Sequence, residues 1–202
     1  MSQSKPVMQS EMSGSLERLL QIIADTSFHS SPTPIYPLVS GVLSQHYIDC
    51  KVALSYPEAR KLLGELILER VRSQAIDAVG GLALGAYPIA VAVSDAFYRE
   101  TGQTVRAFVV RKEPKTHGLK KHVEGDVREG DRVLIVDDVI TSGKSTADAI
   151  MKSREEGLQV VRAIALIDRQ ENNGAQNITA CGVPFDSLLR LQNLIDVQGK
   201  PT

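Results

Sequence analysis

A chain of 202 residues, 43% apolar and 23% charged, is long enough for one substantial domain with a real core. Its formal net charge of −1 excludes a global attraction to nucleic acid or acidic membranes, so any anion must be held by local clustering. Cys50 and Cys181 lack metal-ligand spacing and are too few for a disulfide framework, which points to buried thiols in a reducing compartment.

Met1 to Ser15 is polar and lacks the apolar stretch of a secretory signal. No run approaches the roughly 18 apolar residues of a membrane span. The expectation is a cytoplasmic protein, with residues 1–14 as a disordered leader. From Leu16, apolar positions at Leu16, Leu19, Leu20 and Ile23 follow a helical period. The prolines of Ser30-Ser31-Pro32-Thr33-Pro34 break it. Ile35 to Leu54 reads as strands, with a turn at Ser40-Gly41 and the clearest strand around His46 to Lys51.

Ser55 and Glu58 have capping-box spacing ahead of a helix that buries Leu62, Leu63, Leu66, Ile67 and Val71. Ile76 to Val79 predicts a short strand, broken by Gly80-Gly81. A small-residue stretch then passes into a helix ending near Thr101-Gly102, and Val105 to Val110 is a further strand. Arg111 to Gly130 is a charged loop. Arg132 to Val136 predicts a buried parallel strand, followed by a helix to about Glu156 with Gly157 as its stop. Val160 to Ile167 is another strand, closing on Asp168-Arg169, and Phe185 to Ile195 has helical spacing. Strands alternating with helices predict an α/β fold with a central, mostly parallel sheet flanked by helices. Ligands in such sheets sit beyond the carboxyl ends of the strands, which here means after Val110, Val136 and Ile167.

The segment after Val136 is the richest in chemistry. Asp137 and Asp138 end the apolar run, and Val139, Ile140, Thr141, Ser142, Gly143, Lys144 and Ser145 lead into the helix. Successive backbone N–H groups, two hydroxyls and a glycine at a helix N-terminus form an anion cradle. Two carboxylates would repel a phosphate, so they suit sugar hydroxyls or a cation. Ser142-Gly143-Lys144-Ser145 contains the Gly-Lys-Ser of a Walker A loop, but that pattern needs a glycine where this chain has Asp138. A nucleotide-triphosphate loop is excluded.

Arg111-Lys112-Glu113-Pro114-Lys115-Thr116-His117-Gly118-Leu119-Lys120-Lys121-His122 sets five Lys/Arg against one Glu, an excess of +4. Alone it reads equally as a solvated charged loop. Following a strand that points to the ligand edge, it suits a basic flap closing over a polyphosphate, where it would stabilise charge on a leaving group. Arg169, directly after a buried strand, could grip a carboxylate in a bidentate fork, although such an arginine is more often in a surface ion pair.

Val133 to Ser145 resembles the phosphoribosyl-diphosphate (PRPP) motif of type I phosphoribosyltransferases, a motif of the superfamily rather than of one base. Arg111 to Gly118 resembles the catalytic loop of the orotate phosphoribosyltransferases. Ser40-Gly41, Tyr47-Ile48-Asp49-Cys50, Gly80-Gly81-Leu82-Ala83-Leu84-Gly85 and Asp168-Arg169 extend the likeness over about Tyr36 to Gly174. The resemblance implies the type I fold over residues 15–202, with a core of about 56–180 and a small hood from 15–55 and 181–202.

It also implies a Mg2+-dependent reaction in which orotate and PRPP give orotidine 5′-monophosphate and pyrophosphate, a step towards UMP. By position, Thr141 to Ser145 would hold the 5′-phosphate, and Asp137 and Asp138 the ribose hydroxyls. Arg111, Lys112, Lys115 and His117 would meet the pyrophosphate, Lys112 from the partner subunit, so a homodimer is implied. Thr141 and Arg169 would contact orotate. The metal would come mainly through PRPP, near Asp137 and Asp138, without a direct protein cage. Val39, Val42 and Leu43 occupy a segment where relatives often carry a lysine, and Tyr87 stands where they commonly have an acidic residue. Two alternatives stand beside the orotate enzyme: a transferase for another base, and a non-catalytic, PRPP-responsive regulator that binds nucleic acid.

Overall fold

The computed structural model describes residues 5–38, 41–113 and 122–199. Its elements, in chain order, are α1 (Lys5–Thr26), β1 (Phe28–Ser30), β2 (Tyr36–Pro37), β3 (Leu43–Ser44), β4 (His46–Ile48) and α2 (Cys50–Ala53). Then come α3 (Pro57–Val71), β5 (Ala78–Leu82), α4 (Ala86–Thr101), β6 (Arg106–Val110) and β7 (Val123–Glu124). The chain continues with β8 (Arg132–Ile140), α5 (Lys144–Glu155), β9 (Gln159–Asp168), α6 (Gly174–Thr179), β10 (Phe185–Arg190) and α7 (Leu191–Gln198).

The main sheet has six strands in the order β10-β9-β8-β5-β6-β7, all parallel except the short β7, which runs antiparallel to β6. Its interior strands are apolar on both faces, as a sheet covered by helices requires. The pleat of β8 sorts its residues between two cores. Leu134 and Val136 join the cluster that contains Leu19 and Ile23 of α1, Leu63 and Ile67 of α3, and Ile89 and Val93 of α4. Val133 and Ile135 join the other cluster, with Ala149 and Ile150 of α5 and Ile178 of α6. Each such buried Leu or Ile contributes about 1.5–3 kcal/mol.

Several expectations are corrected. The helix expected from Leu16 already begins at Lys5, so much of the stretch expected as a disordered leader is helical backbone. Gly80-Gly81 does not break a strand; β5 runs through both. A Cβ at Gly80 would lie 2.6 Å from the Phe108 ring, and one at Gly81 would lie 2.1 Å from the Val136 carbonyl oxygen. The glycines let neighbouring strands approach rather than turning the chain.

The capping box at Ser55 does not form. Tyr56 is the N-cap without a side-chain bond, Pro57 sets the first helical position, and Ser55 Oγ donates to the Val52 carbonyl. Glu58 instead pairs with Arg18 of α1 at 2.7 and 2.9 Å, because a guanidinium is the better partner for an exposed carboxylate. Strand structure after Ile35 stops at Ile48, since the Asp49 carboxylate accepts from the Lys51 amide and starts α2. Val39 and Ser40 lie outside the described residues; the flanking β2 and β3 pair antiparallel, and β1 pairs with β4 in the same sense.

The tail differs most. Phe185 to Arg190 is not helical but adds to β9 as the parallel edge strand β10 of the main sheet. Its Phe-x-x-Leu-Leu spacing fits both periods, and the open edge of β9 decides between them. Only α7 then follows the helical expectation, and it packs against α1. None of the described helices is long and apolar enough to cross a membrane.

Candidate active site

β8 continues past its apolar run through both aspartates to Ile140. Strand alternation therefore sends the two carboxylates to opposite faces of the sheet. Asp137 turns to the α5 side, where Thr146 Oγ1 donates to its Oδ2 at 2.6 Å and the Asp138 amide donates to its Oδ1 at 3.0 Å. It is only 6% exposed. Burial, then the neighbouring Asp138 charge, pushes its pKa up to about 7, against the pull of those two hydrogen bonds. Asp138 turns to the α4 side and is half-buried; its Oδ1 accepts from the Val139 amide at 3.0 Å. Gly85, just ahead of α4, faces it so closely that a Cβ there would lie 2.5 Å from the carboxyl carbon.

The turn from β8 into α5 is the anion cradle. Gly143 takes the N-cap with φ +70, a conformation that side chains disfavour, and Lys144 opens the helix. The amides of the first turn point out of the helix end without intrahelical partners, towards the exposed Ser142, Lys144 and Ser145. The turn rests on α6: a Cβ at Gly143 would lie 2.5 Å from the Gly174 carbonyl oxygen, and Asn177 Nδ2 donates to the Ser142 carbonyl at 3.0 Å.

Arg169 stands at the end of β9, its amide bonded to the Ile140 carbonyl at 3.0 Å. Its guanidinium is buried and forks onto Glu171, with Nε to Oε2 and Nη2 to Oε1 both at 3.0 Å. Nη2 also donates to Ser44 Oγ at 3.0 Å, and Nη1 to the His46 carbonyl at 3.3 Å. These bonds tie the segment that carries β3 and β4 to the end of β9.

A cleft of about 470 Å³ opens between them. Asp137, Val139 to Ser145 and Arg169 form its floor and one wall, and Pro37, Leu38, Tyr47 and Ile48 form the other. A charged fork, a phosphate cradle and an apolar wall thus share one space, enough for a sugar phosphate beside a flat ring carrying a carboxylate.

A second cleft of about 530 Å³ lies over the ends of β5 and β6, lined by Ala83, Leu84 and Tyr87 on one side and by Arg111, Lys112, Glu113 and Glu124 on the other. Arg111 Nη1 pairs with Glu124 at 2.7 Å. Ala83 and Leu84 line this second cleft, while Gly85, next in the chain, packs against Asp138.

A phosphoribosyl transferase domain matches residues 54–184. The orotate phosphoribosyltransferase of Aquifex aeolicus is 40% identical over 179 residues, covering 89% of this chain and 97% of that protein. The chain belongs to the orotate phosphoribosyltransferase family. The fold agrees. A crystal structure of the Mycobacterium tuberculosis family member with Fe(III) dicitrate superposes with a TM-score of 0.77 at 33% identity, covering 89% of this chain and 98% of that one. Another of that enzyme, in complex with PRPP, gives 0.71 at 29% identity, covering 90% and 92%. The six-stranded sheet with flanking helices is accordingly the type I phosphoribosyltransferase fold.

Of the family positions expected from sequence, Asp137, Val139, Ile140, Thr141, Ser142, Gly143, Lys144, Ser145 and Arg169 line the first cleft together. Asp138 packs half-buried against Gly85 and is not among the residues that line it. Arg111 and Lys112 line the second cleft instead. Lys115 and His117 lie outside the described residues. Sequence reasoning missed Thr146, Ser44, Glu171 and Asn177. Their only signals were proximity to the motif, for Thr146 and Glu171, and a hydroxyl or amide in an otherwise unremarked loop or short helix.

Proposed function

We propose that the chain is an orotate phosphoribosyltransferase: it transfers the ribose 5-phosphate of PRPP to orotate, giving orotidine 5′-monophosphate and pyrophosphate on the way to UMP. One observation carries the assignment to these clefts. The cradle at the α5 N-terminus and the Arg169 guanidinium line the same cavity, so a 5′-phosphate and a carboxylated base can be held at once.

In this reading the backbone amides and hydroxyls of Thr141 to Ser145 take the 5′-phosphate, and Thr141 and Arg169 take orotate. Asp138 accepts from the ribose hydroxyls. Asp137 already accepts from Thr146 and from the Asp138 amide, one bond on each oxygen, and the remaining lone pairs of its carboxylate can share that task. The bond from C1′ to N1 of orotate forms as the bond from C1′ to the pyrophosphate oxygen breaks, and the N1 proton of orotate passes to the departing pyrophosphate. The ribose becomes cation-like in between, so catalysis is positioning and charge stabilisation without a covalent nucleophile. Arg111 and Lys112, with Lys115 and His117 of the flap, meet the departing pyrophosphate, and in a homodimer Lys112 does so across the subunit boundary.

Mg2+ fits as an ion brought by the diphosphate. Among the described residues no three His, Cys, Asp or Glu side chains converge to cage a metal, whereas Asp138 offers a half-buried carboxylate next in the chain to the cleft-lining Asp137. A Mg2+ ion held there would supply positive charge to offset that of the leaving diphosphate. The thiols of Cys50 and Cys181, which are free, fit the reducing cytoplasm.

The test is pyrophosphate release from PRPP and Mg2+ against a panel of bases. Release that depends on orotate is expected. Release with adenine, xanthine or another base, and none with orotate, would move the acceptor assignment elsewhere.

A further inference from the structure

Arg169 has five N–H donors in a fixed fork. Four are in use among the described residues: two on Glu171, one on Ser44 Oγ and one on the His46 carbonyl. The edge formed by Nε and Nη2, whose geometry suits a carboxylate, is therefore filled by the chain's own carboxylate. A single Nη1 proton is left for a ligand in the cleft. An acceptor base that uses its carboxylate on this arginine meets a site already taken by a chemical equivalent.

We propose that Glu171 is an internal stand-in for the carboxylate of the acceptor base, and that the base displaces it from Arg169 on binding. The inference rests on the orotate reading given above. The two partners are placed unequally for such an exchange. The Arg169 side chain is 4% exposed and that of Glu171 35%, so the carboxylate has water to move into and the guanidinium does not. A buried guanidinium stripped of its carboxylate is costly, and keeping one carboxylate or the other on it at all times avoids that cost.

The turn that carries Glu171 is built around this fork. Gln170, Asn172 and Asn173 all have left-handed φ, at 56, 52 and 55, a run that side chains rarely adopt. The same turn touches the phosphate cradle, since Asn177 Nδ2 bridges the carbonyls of Asn172 at 3.3 Å and Ser142 at 3.0 Å. Glu171 keeps the buried guanidinium paired until a carboxylated base replaces it like for like; a base without a carboxylate leaves the fork as it is.

The test uses the full chain with Glu171→Gln and Glu171→Ala, measuring kcat and KM for orotate and PRPP and inhibition by a pyrimidine lacking the carboxylate. With the competitor weakened or removed, the orotate KM should fall roughly ten-fold, the scale of a charge-assisted hydrogen bond no longer broken on binding. The PRPP KM and the inhibition constant of the carboxylate-free pyrimidine should move less than about two-fold, because neither ligand competes with Glu171. An orotate KM that stays level or rises overturns the proposal and makes Glu171 a fixed support for Arg169. If the variants do not fold, a crystal structure of the wild-type protein with orotate decides: a broken Arg169–Glu171 fork is expected, and an intact one overturns the displacement. Absence of orotate turnover by the wild-type protein would defeat the functional reading, and this inference with it. Orotate turnover without the KM shift defeats this inference alone.

Discussion

Thr146 Oγ1 lies 2.6 Å from Asp137 Oδ2, a buried hydrogen bond that fastens the first turn of α5 to the end of β8. It holds the phosphate cradle against the sheet, and its acceptor is a carboxyl whose pKa is pushed up to about 7 by burial and by Asp138. A carboxyl with a folded pKa above its unfolded value of about 4 binds its proton more tightly when folded. Its contribution is most favourable below pH 4 and is lost as pH rises through 7. Asp137→Asn, which cannot ionise, should therefore be more stable than wild type at pH 8, with an advantage that shrinks towards pH 4. Urea unfolding at both pH values measures it; a pH-independent difference would contradict the raised pKa.

The other carboxylate is constrained sterically. A Cβ at Gly85 would lie 2.5 Å from the Asp138 carboxyl carbon, so Gly85→Ala must push that carboxylate aside, although the Gly85 backbone (φ −59) suits alanine well. Turnover should fall roughly 10- to 100-fold, and Asp138→Asn should cost about 100-fold or more, as for loss of a group that acts on developing charge. Pyrophosphate release, with circular dichroism to check folding, measures both. Near-normal rates in the two variants would detach Asp138 from the chemistry.

The contrast between Asp137 and Asp138 shows what can be read from sequence here. Four apolar residues before two aspartates and a Thr-Ser-Gly-Lys-Ser turn already specify a buried strand, an acidic tip and a helix that opens on a glycine turn, because each depends on local chemistry. Which face each aspartate takes follows from the pleat, but only once the strand is known to continue to Ile140. The errors arise where distant partners decide. Glu58 leaves its capping box for Arg18, 40 residues away, and Phe185 to Arg190 becomes a strand because β9 offers an edge. Arg169 was legible as a carboxylate fork, whereas the presence of Glu171 and Ser44 on that fork needs coordinates.

Helix α5 also reaches the base of the basic flap. Lys152 Nζ donates to the carbonyls of Arg111, at 3.0 Å, and Lys112, while Glu156 Oε1, one turn further on, accepts from the His122 amide at 3.3 Å. Arg111 and His122 are themselves joined, amide to carbonyl, at 2.8 Å. One helix thus carries the Gly143 turn at its start and, near its finish, bonds the chain on both sides of residues 113–121. Lys152→Met keeps the stem and removes the ammonium. It should lower kcat about ten-fold through misplacement of Arg111 and Lys112, with little change in the orotate KM. Steady-state kinetics with each substrate varied in turn would show this split; equal losses in both would indicate general loosening instead.

At the opposite end of β8 from the site, Asp77 accepts from Arg132 Nε, Nη2 and backbone amide, all at 2.8 Å. These hydrogen bonds hold its pKa down to about 2. A carboxyl with a lowered folded pKa stabilises the fold above its unfolded value near 4, and that stability drains away as pH falls through 2. Asp77→Asn should therefore cost stability at pH 7, by about 1 kcal/mol once solvent screening of the partly exposed pair is allowed for. The gap to wild type should narrow between pH 4 and pH 2. Turnover should not change, because the pair lies beneath the N-terminal edge of the sheet and the clefts lie beyond the C-terminal edge. Urea unfolding across that pH range, paired with pyrophosphate release at pH 7, separates the two effects. A loss of turnover without a loss of stability would mean that this ion pair is felt along the whole length of β8.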